Sequence, residues 1–435
     1  MELISEFLLN NKAIFSCFLA LISLLLFIFL AKKYKLTKHQ ILIFALFVIF
    51  WMSIIVIRSY RKVYMLSSPS IGGLGYDEIL AVSVTSIYGL ISIFVRLPIF
   101  FLSDYFKSRK FFILLSIFFI GVSSLITFIH PTYITMLTSS LSIGIGASFI
   151  SLFNVMFAET FTKENAIKSV SILSIAPLCG EFLSAPTQYM FTNGAVKQYN
   201  YLWLISSILA LIAFISCLIF KDNKEKIRNY TFDKVKYVLK NKTFLLFCIM
   251  GIIVSFIKFS SSGANFLALA KLNEINMSSL GIAYSDVVFS FFQLIAGVLA
   301  GTYLKKKFGI KKTILIGFIS TFLFLVVSTF TNNSTILFFT YALNGFGYGI
   351  TYNVLIGLAM DGFNKNYREV SMSIFQTFFA VGIYFGDKIY SYVFNLLNKT
   401  YLIDTYRSVL MLISSISLAT IFIIIIFYKE KANKN

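Results

Sequence analysis

Long apolar runs recur along this chain of 435 residues, and they constrain its fold more than any other feature. A helix needs roughly 20 such residues to cross the hydrocarbon core of a bilayer. Thirteen runs of sufficient length lie near residues 13–31, 41–63, 78–102, 110–129, 132–157, 167–191, 200–220, 244–270, 281–304, 312–331, 334–360, 369–394 and 403–427. Helices satisfy their own backbone hydrogen bonds in lipid, and the alternating strands of a membrane β-barrel do not occur in this pattern. The runs therefore predict an all-α protein that crosses a membrane many times.

The composition excludes the other broad classes of protein. Hydrophobic residues make up 58% of the chain and charged residues 13%, against about 25% charged residues in an ordinary soluble domain. Such a chain has too few charges for a water-facing surface and too many apolar groups for disorder. The formal charge of +20 would suggest nucleic-acid binding in a soluble protein, but a basic patch needs a soluble face. We therefore expect a lipid bilayer, and no nucleic acid, as a partner.

The distribution of positive charge predicts the orientation. Of the 38 Lys and Arg residues, 27 fall in one set of alternate connections or in the C-terminal tail, and the opposite connections hold Lys197, Lys271 and Lys399. Cytoplasmic loops carry the excess of Lys and Arg, so the C-terminus is expected in the cytoplasm and the N-terminus outside the cell (inner) membrane. The run 13–31 lacks a preceding basic region and is followed by Lys32 and Lys33, which favours a membrane helix over a cleaved signal peptide.

No pattern typical of catalysis, metal binding or a cofactor emerges. The four cysteines fall within the apolar runs without ligand spacing, and the two histidines lie at run ends. No phosphate-binding loop of the P-loop type occurs. We therefore expect neither an enzyme nor a bound cofactor or metal, although a membrane-embedded enzyme or receptor remains the alternative class.

The sequence repeats weakly at an offset of 202 residues. Glu159 falls on Asp361 and Gly180 on Gly382, while Gly144 meets Gly345 at an offset of 201. This indicates a duplication of six helices. The predicted organisation is an extra transmembrane helix with its basic loop (1–40), a six-helix half (41–220), a cytoplasmic linker (221–243) and a second six-helix half (244–435).

An aspartate followed by a basic pair occurs after the second core helix, as Asp104, Arg109 and Lys110, and the second half has the pair Lys311 and Lys312. These loops resemble the signature loop of the major facilitator superfamily, which reads roughly Gly-x-x-x-Asp-Arg-x-Gly-Arg-Arg. The resemblance implies a 12-helix (6+6) bundle with one extra N-terminal helix. It also implies that these five residues latch a cytoplasmic gate.

Both loops depart from the family pattern. Phe100 replaces the glycine of the first loop, and Lys306 stands where the second loop usually has an aspartate. The alternative interpretation is that both loops only carry charge that sets the orientation.

Five cations within or beside the runs are not explained by orientation, and they predict the substrate site. They are Arg58, Arg61, Lys62, Arg96 and Lys258. An intramembrane charge is costly and is a functional hypothesis by default. Arg58 and Arg61 are three residues apart and share a helix face, and Lys258 lies midway along the run 244–270. Because Arg matches carboxylate and phosphate groups, the set indicates an anionic substrate; the alternative is structural pairing with nearby carboxylates.

Part of this set carries a narrower resemblance. The pair Arg61-Lys62, Arg96 eight residues before Asp104, and Lys258 are similar to the pattern of the organophosphate:phosphate antiporters. The resemblance implies that Arg61 and Lys258 hold a phosphoryl group. Two basic residues are exchanged for the other type, and Pro177 stands where that family has a histidine.

Two intramembrane carboxylates predict coupling or charge pairing, Glu181 in the run 167–191 and Asp387 in the run 369–394. A carboxylate within the membrane can carry a proton, or it can pair with a cation such as Lys258. The segment around Pro177 and Gly180 also resembles, weakly, a signature of proton-driven drug antiporters.

Taken together, these features predict a secondary transporter that moves a small solute by alternating access across the plasma membrane. We expect a monomer whose solute is an organic anion, in one version a phosphate ester exchanged by an antiporter. The alternative is proton-coupled transport of a drug, sugar or peptide through Glu181.

Overall fold

The structure, a computed structural model, is built from helices. It describes residues 11–33, 36–106, 108–149, 175–219, 232–361, 363–397 and 401–427, with single positions between 152 and 173. Its α-helices are α1 (Lys12–Lys33), α2 (Lys38–Arg58), α3 (Tyr60–Leu66), α4 (Glu78–Tyr105), α5 (Arg109–Ile129), α6 (Tyr133–Ser148), α7 (Ala176–Thr192), α8 (Tyr199–Ile219), α9 (Phe232–Leu239), α10 (Lys242–Ser261), α11 (Ala264–Ala270), α12 (Ser279–Leu299), α13 (Lys305–Phe330), α14 (Ser334–Asp361), α15 (Lys365–Leu397) and α16 (Leu402–Phe427). Within the described ranges no strand occurs.

Polar caps define where several of these helices begin. Thr37 and Thr132 each form a capping box with the residue three positions on, and Ser108, Asn241 and Ser278 each accept one backbone N–H of the first turn. A cap supplies a partner for an amide that has none inside the helix. The apolar runs thus begin at specific residues.

The lengths and hydropathies of the helices fit a bilayer. Eight spans of the described chain are long and apolar enough to cross a membrane, with mean hydropathies from 1.7 to 2.8. Many large apolar side chains on these helices point outward, among them Phe94 at 65% and Phe118 at 52% exposure. Lipid, unlike water, favours such a surface.

The chain divides into two compact units. The first comprises Met1–Thr231 together with Ile282–Val287, and the second comprises Phe232–Gly281 together with Val288–Asn435. Each unit has its own buried apolar core, with Phe47, Phe50 and Phe153 in the first and Phe266 and Phe324 in the second.

In the first unit, glycines bring helices into close contact. A Cβ added at Gly144 of α6 would overlap Ile91 and approach the Tyr88 backbone of α4, and one at Gly180 of α7 would press against Trp51 of α2. Small residues at helix crossings allow this packing in membranes.

The extra helix α1 packs on α7 of the same unit. The rings of Phe15 and Tyr189 lie 5.9 Å apart, and Lys12 donates to the Asn193 carbonyl at 3.2 Å. With 22 residues, α1 extends for about 33 Å, which is comparable to the thickness of the hydrocarbon core.

The second unit packs in a corresponding way. A Cβ at Gly345 of α14 would overlap the Phe289 backbone of α12, and one at Gly382 of α15 would overlap Ser255 and Ile252 of α10. Gly345 lies 201 residues after Gly144, and Phe289 lies 201 residues after Tyr88. The equal spacing is consistent with the predicted duplication.

The first long core helix of each unit is interrupted near its end. The α2 segment ends at Arg58 and α3 begins at Tyr60, and Gln188 of α7 donates to the carbonyls of Ile55 and Val56 just before the junction. A buried carbonyl without a hydrogen-bond donor costs free energy. Because Gln188 donates to these two carbonyls, the break in the helix does not leave them without a partner.

The interruption in the second unit is wider. It follows Ser260 and Ser261 and consists of Ser262 and Gly263, between α10 and α11. Gly263 adopts a φ of +56°, a conformation that favours glycine, and its N–H donates to the Tyr341 hydroxyl at 2.9 Å. The run 244–270, predicted as one continuous helix, is therefore two helices.

Among the connections predicted between helices, one differs from the structure and others lie outside the residues that it describes. The predicted loop 304–312 is mostly helical, with a kink at Gly309, where φ is +79°. The predicted loop 159–168 apart from Thr160, residues 221–231 of the predicted linker, and the tail 428–435 lie outside the described residues.

Candidate functional site

Arg58 and Glu181, both predicted site residues, form an ion pair inside the first unit. The Arg58 Nη2 lies 3.1 Å from Glu181 Oε1, and the Glu181 side chain is 5% exposed. Arg58 also lies over the Trp51 ring, 5.9 Å from its centroid. In a low-dielectric environment, removal of either side chain would leave the other as an uncompensated buried charge, which would destabilise the folded unit.

Arg61, one turn later, is held by neutral groups. Its Nε donates to the Arg58 carbonyl at 2.9 Å, its Nη1 donates to the Ser140 hydroxyl, and its guanidinium lies 5.5 Å from the Tyr88 ring centroid. Arg61 is 4% exposed. The guanidinium is therefore oriented by α4 and α6.

Lys62 is completely buried at 0% exposure, and it forms an ion pair with Glu78 at the start of α4. This pairing corresponds to the structural alternative considered for the intramembrane cations. Arg96 lies further along α4 and is partly exposed.

Lys258 lies in the last turn of α10, beside the interruption, because the run in which it seemed central is broken. Its ammonium lies 4.5 Å from the ring centroid of Tyr348, 4.6 Å from that of Phe259 and 5.4 Å from that of Phe289. Ring faces attract cations through their quadrupoles. These three rings hold the ammonium within the second unit.

A small cavity lies beside Lys258 in the second unit. Its polar lining consists of Lys258, Thr321, Asn344, Tyr348 and Thr351. Asn344 is 0% exposed, and its Oδ1 has no hydrogen-bond partner among the described residues. A buried polar atom without a partner costs free energy unless a ligand or water satisfies it, so this cavity is suited to a polar solute.

Asp387 lies elsewhere in the second unit. It is 7% exposed and accepts a hydrogen bond from Asn265 Nδ2 at 3.2 Å. The same Nδ2 donates to the Phe259 carbonyl at 3.0 Å, which ties the carboxylate to the end of α10.

The basic residues of the predicted gating loops bind helix ends. Lys110 donates to the Leu218 carbonyl near the end of α8, and Lys311 donates to the Ile425 carbonyl near the end of α16, each at 2.7 Å. Arg109 is 5% exposed and Lys312 is exposed. Asp104 belongs to α4, but its side chain lies outside what the structure describes.

Within the described part of the chain, no group of three or more His, Cys, Asp or Glu side chains could hold a metal ion. The four cysteines are free thiols.

Sequence reasoning missed several partners of the predicted residues. Glu78 resembled an interfacial residue because it begins an apolar run, and Ser140, Tyr88 and Tyr348 resembled ordinary core side chains. The run Ser260-Ser261-Ser262-Gly263 was the available signal for the helix interruption.

Comparisons with known proteins follow this geometry. A model described as Major Facilitator Superfamily matches residues 41–386 and also residues 252–435. No curated protein matches the chain in sequence.

Solved structures resemble the fold over most of the chain. A POT family transporter in complex with 5-aminolevulinic acid matches with a TM-score of 0.73 at 14% identity, covering 90% of this chain and 96% of that chain. The nucleoside transporter NupG matches with 0.68 at 12% identity, covering 91% and 100%. A D-xylose-proton symporter matches with 0.66 at 14% identity, covering 90% and 97%. At these identities the likeness shows the fold alone.

Proposed function

Since the chain belongs to the major facilitator superfamily and has the fold of a multi-pass secondary transporter rather than an enzyme, we propose that its solute is a small organic anion moved by alternating access. A phosphate ester exchanged for phosphate is the specific form that we propose to test first. The observation that carries the proposal is the Lys258 ammonium beside a polar cavity in the second unit.

The chemistry of this cavity supports an anion. Lys258 supplies a positive charge and Thr321 a hydroxyl that lines the same space, whereas the Thr351 hydroxyl donates its proton to the Gly347 carbonyl at 2.9 Å. Charge-assisted hydrogen bonds to an ammonium are shorter and stronger than neutral ones, most of all away from water. A carboxylate or phosphoryl group would therefore gain most from binding here.

The cations of the first unit contribute unequally to the proposal. Arg58 and Lys62 each have a carboxylate partner, Glu181 and Glu78, which compensates their charge. Arg61 donates to the Ser140 hydroxyl and the Arg58 carbonyl, which orient its guanidinium. Because a planar guanidinium matches carboxylate and phosphate groups, Arg61 is the first-unit cation that we propose for solute binding.

Substitution of Lys258 tests the anion site. Thermal unfolding of the purified protein is followed with sugar phosphates, carboxylates, peptides and nucleosides, since a ligand of the folded state raises the melting temperature. We expect a stabilising anion to lose this effect in Lys258→Ala and to regain part of it in Lys258→Arg. The exposed Lys240→Ala is the matched control. Normal binding and transport by both Lys258→Ala and Arg61→Ala would exclude the anion site.

A second candidate function rests on the Arg58–Glu181 pair. A buried carboxylate that can lose its cation partner can take up a proton instead, which suits proton-coupled transport of a drug, sugar or peptide. One structural neighbour is itself a D-xylose-proton symporter. Asp387 is a further coupling candidate.

Transport into vesicles separates the two candidates. With a phosphate gradient and no proton gradient, an exchanger continues to accumulate its ester, whereas a proton-coupled transporter does not. Glu181→Gln leaves exchange intact in the first case and abolishes proton-driven accumulation in the second.

The orientation, location and assembly of the chain are further proposals. The basic connections support a cytoplasmic C-terminus and an external N-terminus in the cell membrane. We also propose that Asp104, Arg109, Lys110, Lys311 and Lys312 latch the cytoplasmic side, and that the transporter acts as a monomer.

A further inference from the structure

A second small cavity lies at the helix interruption of the second unit. Its polar lining consists of Ser260, Ser261, Asn265, Ser328 and Tyr390. None of these residues belongs to the lining of the Lys258 cavity. The cavity therefore needs its own explanation.

The serines of this cavity present acceptor atoms. Ser260 donates its proton to the Phe256 carbonyl at 2.8 Å, and Ser261 donates to the Ile257 carbonyl at 2.7 Å. A hydroxyl has one proton and two lone pairs, so these oxygens have only lone pairs left to offer. They can bind a cation or a hydrogen-bond donor, and they cannot donate to an anion.

Ser328 supplies an independent observation. It is 1% exposed, lines the cavity, and its Oγ has no hydrogen-bond partner in the part of the chain that the structure describes. Buried hydroxyls are nearly always satisfied by protein, water or a ligand. Ser328 thus indicates an occupant of the cavity.

A carboxylate lies one hydrogen bond away from a residue of the cavity lining. Asn265 lines it and donates to both the Asp387 carboxylate and the Phe259 carbonyl. The C-terminal end of α10 also carries the negative end of the helix dipole. Interrupted membrane helices use such carbonyl ends and nearby carboxylates to coordinate small cations.

We propose that this cavity binds Na⁺, with the Ser260, Ser261 and Ser328 hydroxyls as ligands and the buried Asp387 as the compensating charge. One carboxylate with neutral oxygens suits a hard monovalent cation, whereas protein sites for divalent cations usually gather more carboxylates. The site lacks the soft or imidazole ligands that transition metals favour.

The site is linked to the Lys258 cavity within the same unit. Asn344, which lines the Lys258 cavity, donates to the Ser261 hydroxyl at 3.4 Å, and Ser261 lines the second cavity. A cation on Ser261 changes the partner available to Asn344. The inference goes beyond the proposed function, because a cation would bind here whatever the solute.

The test measures ion-specific stabilisation of the purified full-length protein without solute. Na⁺ is titrated against K⁺ and choline at constant ionic strength and pH, and the melting temperature is recorded. We expect a saturable rise with Na⁺ that K⁺ and choline do not produce. A rise produced equally by all three salts, no rise, or stabilisation by lowered pH in place of Na⁺ would overturn the proposal.

Variants locate the site. Asp387→Asn is expected to weaken Na⁺ binding by about tenfold or more, because it removes the compensating negative charge, and Ser328→Ala by several-fold, because it removes a ligand oxygen. Asp404→Asn, which alters a carboxylate that is 45% exposed beside Arg407, is the matched control and should respond as the unmodified protein does. If Asp387→Asn does not fold, Ser328→Ala decides, and an unchanged Na⁺ response in Ser328→Ala contradicts the assignment. Since the assay contains no solute, failure of the anion proposal would leave its result untouched.

Discussion

The two units share a helix crossing that differs in sequence but not in geometry. In the first, Gly144 lets α6 approach the backbone of α4 at Tyr88, and in the second, Gly345 lets α14 approach α12 at Phe289. Both partners of the crossing are separated by 201 residues. Each crossing thus has a glycine on one helix in close contact with the backbone of an aromatic residue, Tyr88 or Phe289, on the other.

A cation lies over each of these rings. Arg61 lies 5.5 Å from the Tyr88 centroid, and Lys258 lies 5.4 Å from the Phe289 centroid. The cations do not correspond in sequence, because the residue 202 positions after Arg61 is Gly263. The two units thus place a cation beside the equivalent ring, but they do so from positions that do not correspond in the sequence repeat.

The surroundings of the cations distinguish the units. The first unit has the Arg58–Glu181 and Lys62–Glu78 ion pairs close to Arg61. In the second, Lys258 is held by ring faces and lines a polar cavity. The difference teaches that similar helix packing does not fix which charges surround it. In the first unit Arg58 and Lys62 pair with carboxylates, whereas in the second Lys258 contacts three aromatic rings and lines a cavity.

The largest effect is expected from removing a balancing carboxylate in the first unit. Glu78→Ala leaves the fully buried Lys62 without this partner and should lower the free energy of unfolding by about 3–5 kcal/mol. Thermal unfolding in detergent measures the loss. The exposed Glu274→Ala is the control, and equal melting temperatures for the two variants would show that the ion pair does not stabilise the unit.

The shared crossing gives the next effect. Gly345→Ala places a methyl group against the Phe289 backbone, and such overpacking costs about 1–3 kcal/mol. Gly144→Ala should be destabilising in the same way in the first unit. Gly357→Ala on the same helix α14 is the control, since a Cβ there has nothing within 4 Å. If Gly345→Ala were as stable as Gly357→Ala, the two crossings would not be equivalent.

A smaller effect lies outside the membrane spans, at Lys271 of the second unit. Burial lowers its pKa from the ordinary 10.5 to about 8. Below pH 8 both the folded and unfolded chains carry the charge and the folded state bears its desolvation cost. Between about pH 8 and pH 10.5 the folded chain loses its proton first, so stability should rise with pH.

Lys271→Met should remove this dependence and stabilise the protein at neutral pH by on the order of 1 kcal/mol, since water reaches part of the side chain. Melting temperatures across this pH range measure both results, with the exposed Lys240→Met as control. An unchanged pH profile in Lys271→Met would assign the dependence to another group.

The smallest effect concerns the rings under the cations. Phe289→Leu removes one of three ring faces from Lys258 and should weaken binding of an anionic solute by about two- to fivefold. Tyr88→Leu should change solute binding less, because Arg61 keeps its bonds to Ser140 and the Arg58 carbonyl. Titration calorimetry compares the variants, and a larger loss in Tyr88→Leu would reverse the assigned roles of the units.

The sequence predicts the helices well because hydropathy in a bilayer depends on local composition. It also predicts that Arg58 and Arg61 lie together, since residues three apart share a helix face, and in the structure the Arg61 side chain donates to the Arg58 carbonyl. It offers Glu181 as the partner of a cation such as Lys258, whereas in the structure Glu181 pairs with Arg58.

Long-range partners could not be predicted. Glu78 and Lys62 are 16 positions apart on different helices, and the link from Asn265 to Asp387 spans 122 positions. Such contacts depend on how helices cross, which no single run of sequence specifies. The helix interruption at Gly263 was also missed, because an apolar count registers length and not backbone conformation.

The lysines that tie helix ends have a consequence for how this protein is built. Lys110 and Lys311 belong to the basic connections that the positive-inside rule would use during insertion, and in the folded chain each donates to a carbonyl of the last helix of its unit. The lysines that we propose to set the orientation thus also fasten, in the folded chain, the end of a helix that is synthesised long after them. Charge-reversal experiments that map topology would therefore also loosen the closing helix of each unit. If a charge-reversed variant at Lys110 or Lys311 misfolds, the lost contact with α8 or α16 explains the defect without any change of orientation.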